Sequence, residues 1–357
     1  MWLAGAFGAG LLIMTGVAAS PAEADINLTR CATVEIPVTI PGVTAPGQIT
    51  GDYCQPSSTN GTVLLMVGGG GENADYWNMP GLPENSLVNA ANARGYATLA
   101  IDRLGTGRST LPTSSTSVTF AAQVSTVHQV VQALRGNPNL FGGASWTSVI
   151  GVGHSLGSGT LAGVAANNPG DLEALVLTGY GAAVTPQTLQ LDKLYQVPAS
   201  TVSPAWANLD SGYVTVIPSA VEDIGLLYPP GTSQDGFNAA STHQGTLSTT
   251  ELATRPQGAA AIAQGALIHL PVFVADGQYD LHYCEANAVG DPVTFTPQCQ
   301  SESAFYSYEQ QLVPNACLST QLIPTSGHAI QEEIAAPLAN TEYLCWIDAL
   351  LGKGTTC

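Results

Sequence analysis

Positive charge is scarce in this chain: 357 residues carry 8 Lys and Arg against 26 Asp and Glu, a formal net charge of −18. That balance excludes a nucleic-acid partner, whose phosphates need basic side chains to neutralise them, and it disfavours docking on anionic lipid. Charge of either sign is sparse, at 10% of residues. The predicted surface is therefore polar but uncharged, which suits an exported protein. No C-x-x-C pair occurs, so neither a zinc ribbon nor a dithiol redox motif is indicated. Beyond the N-terminus no apolar run is long enough to span a bilayer. No residue pattern calls for a cofactor.

What is present fits one large domain, or one domain with an inserted part, because 45% of the chain is hydrophobic and can bury a full core. The N-terminal run "WLAGAFGAGLLIMTGVAAS" is followed by Ala22-Glu23-Ala24, a small-x-small cleavage pattern. Residues 1–24 are predicted to be a signal peptide, with a mature start at Asp25 and secretion of the product. Val17-Ala18-Ala19 offers an earlier cleavage site, and no Lys or Arg precedes the run. The competing reading is an uncleaved membrane anchor. Seven cysteines fit an oxidising compartment, where they would form three pairs and leave one over. Cys31 and Cys54 flank a hairpin-like stretch with Pro41-Gly42 and Pro46-Gly47 turns, and Cys284 and Cys299 bracket a Pro-containing loop. Cys317, Cys345 and Cys357 compete for the third bridge. Asn27-Leu28-Thr29 and Asn60-Gly61-Thr62 are glycosylation sequons if the source is eukaryotic.

Strand and helix patterns alternate along most of the chain. "TVLLMVGGGG", "YATLAID", "SWTSVIGVG", "LEALVLTG", "LPVFVADG" and "LSTQLIPTSG" read as strands, with helices such as "FAAQVSTVHQVVQALRG" between them. This alternation predicts an α/β fold with a mostly parallel, doubly wound sheet. The rhythm breaks over residues 184–268, a Thr-, Ser- and Pro-rich stretch carrying Trp206, Tyr213 and Tyr228. A structureless loop of that length is uncommon in a compact domain, so the stretch reads as an inserted, mainly helical cap. It divides the core into residues 25–183 and 269–357.

"GVGHSLGSG", residues 151–159, joins a strand pattern to a helix pattern through Ser155, with Gly153 and Gly157 on either side. In that context G-x-S-x-G is a sharp turn that exposes a nucleophile, and the helix start beside it favours a developing anion. A serine hydroxyl needs a base, and of six histidines His328 is best placed, in a loop after the last strand. His154 adjoins Ser155 and should point away from it. Asp276 and Asp280, after the preceding strand, are the candidate acids, and Asp280 lies one turn further out, where it can reach the His328 loop. A metal site at Asp276, Asp280 and His282 lacks a supporting ligand cluster, so no metal is expected. Two N–H donors for an oxyanion are expected from Leu156 and from Gly69 or Gly70.

With these pieces in order, the chain resembles the α/β-hydrolase superfamily over nearly all of its mature length except the cap. The resemblance rests on "VLLMVGGGG", "AIDRLGTGRS", "GVGHSLGSG", "LEALVLTG", "VADGQYD" and "TSGHAIQEE". It implies a secreted, lipase-like serine esterase acting on a carboxylic ester or lactone through Ser155, His328 and Asp280, which follow the family's Ser–Asp–His chain order. Asp102 and the glycines after it would shape a loop beside the site. The family often has His-Gly where this chain has Val67-Gly68, which leaves Gly69 and Gly70 both open as donors. Peptidase, amidase or thioesterase activity on the same triad is the enzymatic alternative, and a non-catalytic binding protein is the other class. The expected partner is a small, apolar ester-type substrate.

Overall fold

The computed structural model describes residue 1 and residues 29–217, 226–284 and 296–353. The expected leader, its cleavage sites and Cys357 lie outside the described residues. The described elements begin with β1 (Thr29–Val38) and β2 (Gly47–Pro56), followed by β3 (Thr62–Val67), α1 (Leu87–Ala93) and β4 (Ala97–Ile101). Next come α2 (Phe120–Gly136), β5 (Ser148–His154), α3 (Leu156–Asn167) and β6 (Ala174–Thr178).

An intervening segment holds α4 (Pro186–Tyr195), β7 (Gln196–Pro198), β8 (Tyr213–Val216), α5 (Gln234–Thr242), β9 (Leu247–Ser248), α6 (Thr249–Thr254) and α7 (Ala259–Gly265). The chain then closes with β10 (Pro271–Gly277), α8 (Glu302–Leu312), β11 (Cys317–Ile323) and α9 (Ala336–Leu350). His269 lies just before β10 and is exposed.

Eight strands form one sheet in the order β1-β2-β4-β3-β5-β6-β10-β11. From β4 to β11 every pairing is parallel, and only the β1–β2–β4 edge is antiparallel. The short strands "TVLLMV" and "ALVLT" are buried at every residue. Strands covered on both faces have no polar side to display, which is why they read as continuous apolar runs. One apolar cluster covers one face, with Val127, Val131 and Leu134 of α2 among its members, and a second covers the other, with Tyr343, Leu344 and Ile347 of α9. Parallel strands all end on one side of the sheet, so the loops after β3, β5, β10 and β11 meet at one edge.

The segment between β6 and β10 is more than helices. It carries a three-stranded antiparallel sheet, β7-β8-β9, that gave no strand period in the sequence. Its strands are two to four residues long, too short for alternation to register.

Two disulfides join the pairs expected, Cys31–Cys54 and Cys284–Cys299. Cys31 and Cys54 are direct cross-strand partners in the β1–β2 register. Cys345 is also disulfide-bonded, and Cys317 is free and exposed. The Cys31–Cys54 bridge closes a loop with a sequence separation of 23. The paired substitution Cys31→Ser, Cys54→Ser is expected to lower stability by about 3 kcal/mol, the chain-entropy value for such a loop. Urea unfolding measures this directly; a loss well under 1 kcal/mol would show that the hairpin register holds without the bridge. No helix among the described residues is long and apolar enough to cross a membrane.

Candidate active site

The turn after β5 is built by what glycine lacks. A Cβ at Gly153 would sit 2.6 Å from the Ser158 backbone, and one at Gly157 would sit 2.1 Å from the Val67 carbonyl oxygen. Only glycine lets β5, α3 and the end of β3 approach so closely. Between them Ser155 is held at φ 50, ψ −116, a conformation that side-chain-bearing residues adopt only under constraint. Its own N–H donates to the Thr178 carbonyl (2.9 Å) and its carbonyl accepts from Gly159 (3.1 Å), which fixes the turn at both ends. Ser155 lines a cavity together with Gly70, Glu72, Leu156, His282 and His328.

His328 comes to this cavity from the loop after β11, and its Nδ1 lies 2.7 Å from Asp280 Oδ2. Asp280, in the loop after β10, accepts the His282 backbone N–H on its other oxygen (2.6 Å). Burial alone would raise the Asp280 pKa, but the facing His328 imidazole and the bonds from His282 and His328 hold it well below the usual carboxylate range. The carboxylate therefore remains charged against the imidazole. Among the described residues no direct hydrogen bond joins Ser155 to His328; the two share the cavity. Such bonds are often loose before substrate arrives.

Other side chains, not assigned to the triad from the sequence, surround this geometry. Glu333 anchors the His328 loop: it accepts the Gly327 N–H (2.6 Å) and the Ser326 hydroxyl, and it also takes the Tyr228 N–H (2.5 Å) from the intervening segment. The His282 ring stacks on His328 with centroids 4.0 Å apart. Glu72 accepts the Gly69 N–H (2.5 Å) and lies 3.3 Å from His154 Nε2. His154 itself is buried outside the cavity lining, stacked on Tyr76, with its ring 4.7 Å from His328. The signal for Glu333 was its place five residues after His328, in a stretch already quoted. His282 was weighed in the sequence only as a metal ligand, and nothing local marked Glu72.

Asp276 is also buried, within β10, but it is not bonded to His328. Burial, then the neighbouring Asp280 and Glu309 carboxyls, raise its pKa well above the usual range, so it stays protonated. Among the remaining histidines, His128 pairs with Asp171 (2.6 Å) and His243 with Asp75 (3.2 Å), both away from the cavity. One ligand atom each from Asp280, His282 and His328 falls within 4.8 Å of the others, so these three could approach a cation. Both Asp280 oxygens are already engaged, one on His328 and one on the His282 backbone, which suits orientation of an imidazole better than metal ligation.

The backbone offers donors beside Ser155. Leu156 opens α3, where N–H groups have no intrahelical acceptor, and it lines the cavity with Gly70. Gly69, in contrast, has spent its N–H on Glu72. The rest of the cavity wall is mixed, with Val184, Val216, Leu226, Leu247 and Leu252 beside the polar Thr188, Gln196, Arg255 and Tyr283. Its free volume is about 50 Å³. Gln196, Leu252 and Arg255 also line an open groove of about 410 Å³ with Leu189, Val214 and Ala253 on its wall.

Buried acids give the fold a pH signature. Burial raises Asp276, Glu309 and Glu332 well above ordinary carboxyl values and Glu333 from 4.5 to about 7. Between those limits the folded chain binds more protons than the unfolded one, so stability falls as pH rises through the window. Glu333 alone should contribute about 3 kcal/mol to that fall. The opposite contribution from Asp280, whose pKa is lowered, is present above its ordinary pKa and is lost only in strong acid. The expected optimum of stability is therefore near pH 5, and Glu333→Gln should flatten the decline toward pH 8. Unfolding midpoints measured from pH 4 to 8 check this, and a midpoint that climbs steadily with pH would contradict it.

The sequence model of a family described as "Alpha/beta hydrolase family" matches residues 64–341. Among solved structures, a thermophilic esterase from Thermogutta terrifontis superposes with a TM-score of 0.56 at 14% identity, covering 88% of this chain and 98% of that one. An esterase from Exiguobacterium antarcticum gives 0.55 at 15% identity, over 88% and 98% of the two chains. A lipase in its open form gives 0.57 at 15%, over 89% and 99%. At such identities the likeness is one of fold. No curated protein matches the chain.

Proposed function

The chain belongs to the alpha/beta hydrolase family, and from that membership we propose that it is a secreted serine hydrolase cleaving a carboxylic ester or lactone. The observation that carries the proposal is the constrained Ser155 at the start of α3, sharing one cavity with an imidazole whose far nitrogen is held by a buried carboxylate.

In this mechanism Ser155 Oγ attacks the ester carbonyl and its proton passes to His328 Nε2. Asp280 keeps the other proton on Nδ1 and stabilises the imidazolium. Negative charge on the tetrahedral oxygen is met by the Leu156 N–H and the Gly70 N–H, since Gly69 is taken by Glu72. His328 then gives its proton to the leaving alcohol, and water repeats the sequence to release the acid. Residues 184–268 act as a cap, contributing Val184, Val216, Leu226, Leu247 and Leu252 to the apolar part of the wall. The free space beside Ser155 suits little more than the ester linkage itself, so a longer chain would run past Leu252 into the outer groove. The disulfides and the apolar N-terminal run support export.

A fluorophosphonate probe tests the proposal: it should label the folded protein once, at Ser155, and block hydrolysis of chromogenic esters. A folded protein that neither takes the label nor cleaves any ester of graded chain length would overturn it.

A further inference from the structure

We propose that the buried Arg103–Glu251 pair is a positioning device that sets the oxyanion-binding backbone from the cap; the proposal rests on the serine-hydrolase reading above. Arg103 follows β4 and Glu251 lies on α6, in the inserted segment, and both side chains are 1% exposed. Arg103 Nη1 donates to the Glu251 carboxylate, and Nη2 donates to the Gly69 carbonyl oxygen at 2.8 Å. Gln123 Nε2, from α2, braces the arrangement by donating to Glu251 (3.1 Å) and to the Leu104 carbonyl (2.9 Å). One guanidinium thus connects the cap to the loop after β3.

The position of that bond matters because the loop is "GGGG", Gly68 to Gly71. Glycines impose no orientation on the peptide planes between them, so an oxyanion donor here must be aimed by something outside the loop. The peptide joining Gly69 to Gly70 is trans, and in a trans peptide the C=O and the following N–H point to opposite sides. With the Gly69 carbonyl pinned on Arg103, the Gly70 N–H is turned the other way, and Gly70 lines the cavity that holds Ser155 and Leu156. Glu72 holds the N–H of the same Gly69, so both polar groups of that residue are fixed.

The cap grips the loop at a second point. Gly245 donates to the Gly71 carbonyl (2.5 Å), while Thr246 bonds Thr106 and Gly105 next to Arg103. The stretch from Gly245 to Glu251 is therefore stitched to both flanks of the donor peptide. A fully buried ion pair is a poor source of stability, because desolvation cancels most of its attraction. Its effect here is geometric: displacement of the cap shifts Arg103 and loosens the Gly69–Gly70 peptide, whose carbonyl then keeps only the longer bond from the Glu72 N–H (3.4 Å).

The test compares Arg103→Met and Glu251→Gln with the wild type, with rates expressed per serine titrated by a fluorophosphonate. Arg103→Met should lower kcat by about 10- to 100-fold, below the loss from deleting a donor outright, with KM changed less than about threefold. Inhibition by an alkyl boronic acid, which forms a tetrahedral anion on Ser155, should weaken by the same factor as kcat. Glu251→Gln, the gentler change if Arg103→Met does not fold, should show a smaller loss of the same kind, and the double variant should be no worse than Arg103→Met alone. A merely structural role would lower the number of titratable serines and leave kcat per serine and boronate affinity intact. Wild-type kcat per titrated serine in Glu251→Gln and Arg103→Met overturns the positioning role. Absence of labelling in the wild type overturns the hydrolase reading instead.

Discussion

Ser155→Ala is expected to leave a folded protein whose ester turnover is lower by about 10⁴-fold or more and which takes no fluorophosphonate label. The size of the loss follows from the covalent catalysis proposed above: without Oγ there would be no acyl-enzyme, and only donor contacts and substrate binding would remain. Stability should hardly change, because the turn is fixed by backbone bonds to Thr178 and Gly159 that alanine retains. A companion variant separates chemistry from strain. Ser155 sits at φ 50, ψ −116, so Ser155→Gly should be equally inactive but more stable by about 1 kcal/mol. Turnover by chromogenic ester and thermal unfolding measure both quantities. Activity near the wild-type rate in folded Ser155→Ala would end the mechanism.

The second large effect concerns the acid. Asp280→Asn is expected to cost about 10⁴-fold in kcat, the effect of the same change in a related triad. Asp280 Oδ2 is 2.7 Å from His328 Nδ1, and in the proposed mechanism only an acceptor there would keep the proton on Nδ1 and leave Nε2 free to take one from serine. An amide can turn its NH₂ to that nitrogen and trap the wrong tautomer. Asp276→Asn removes a carboxyl that burial already keeps protonated, so an amide of nearly the same shape should lower kcat less than about tenfold. The pair of variants is decisive because the two acids stand four residues apart. If Asp276→Asn were the crippling change and Asp280→Asn the mild one, the acid would have to be reassigned.

The difference between these two aspartates marks where sequence reasoning stops. Features governed by neighbours in the chain were legible. Gly153, Ser155 and Gly157 specify the turn because their requirement is steric and local. The buried strands show as apolar runs because each is covered on both faces. Cys31 and Cys54 pair because a hairpin brings them into register. The small β7-β8-β9 sheet was not legible, since its strands are shorter than the period that would reveal them.

By itself, then, the sequence determined the layered α/β architecture, the serine turn and the loops that carry His328 and the two candidate acids. Tertiary structure decided which atoms meet. It set Asp280 rather than Asp276 against the imidazole, and stacked His282 on His328. It also engaged the Gly69 N–H with Glu72, leaving Gly70 on the cavity wall. Arg103 and Glu251 are 148 positions apart, and no local pattern could pair them. The reason is physical: a turn or a strand is chosen by short-range sterics and periodicity, whereas a contact between distant side chains exists only after the sheet has closed the loops between them and excluded water from the result.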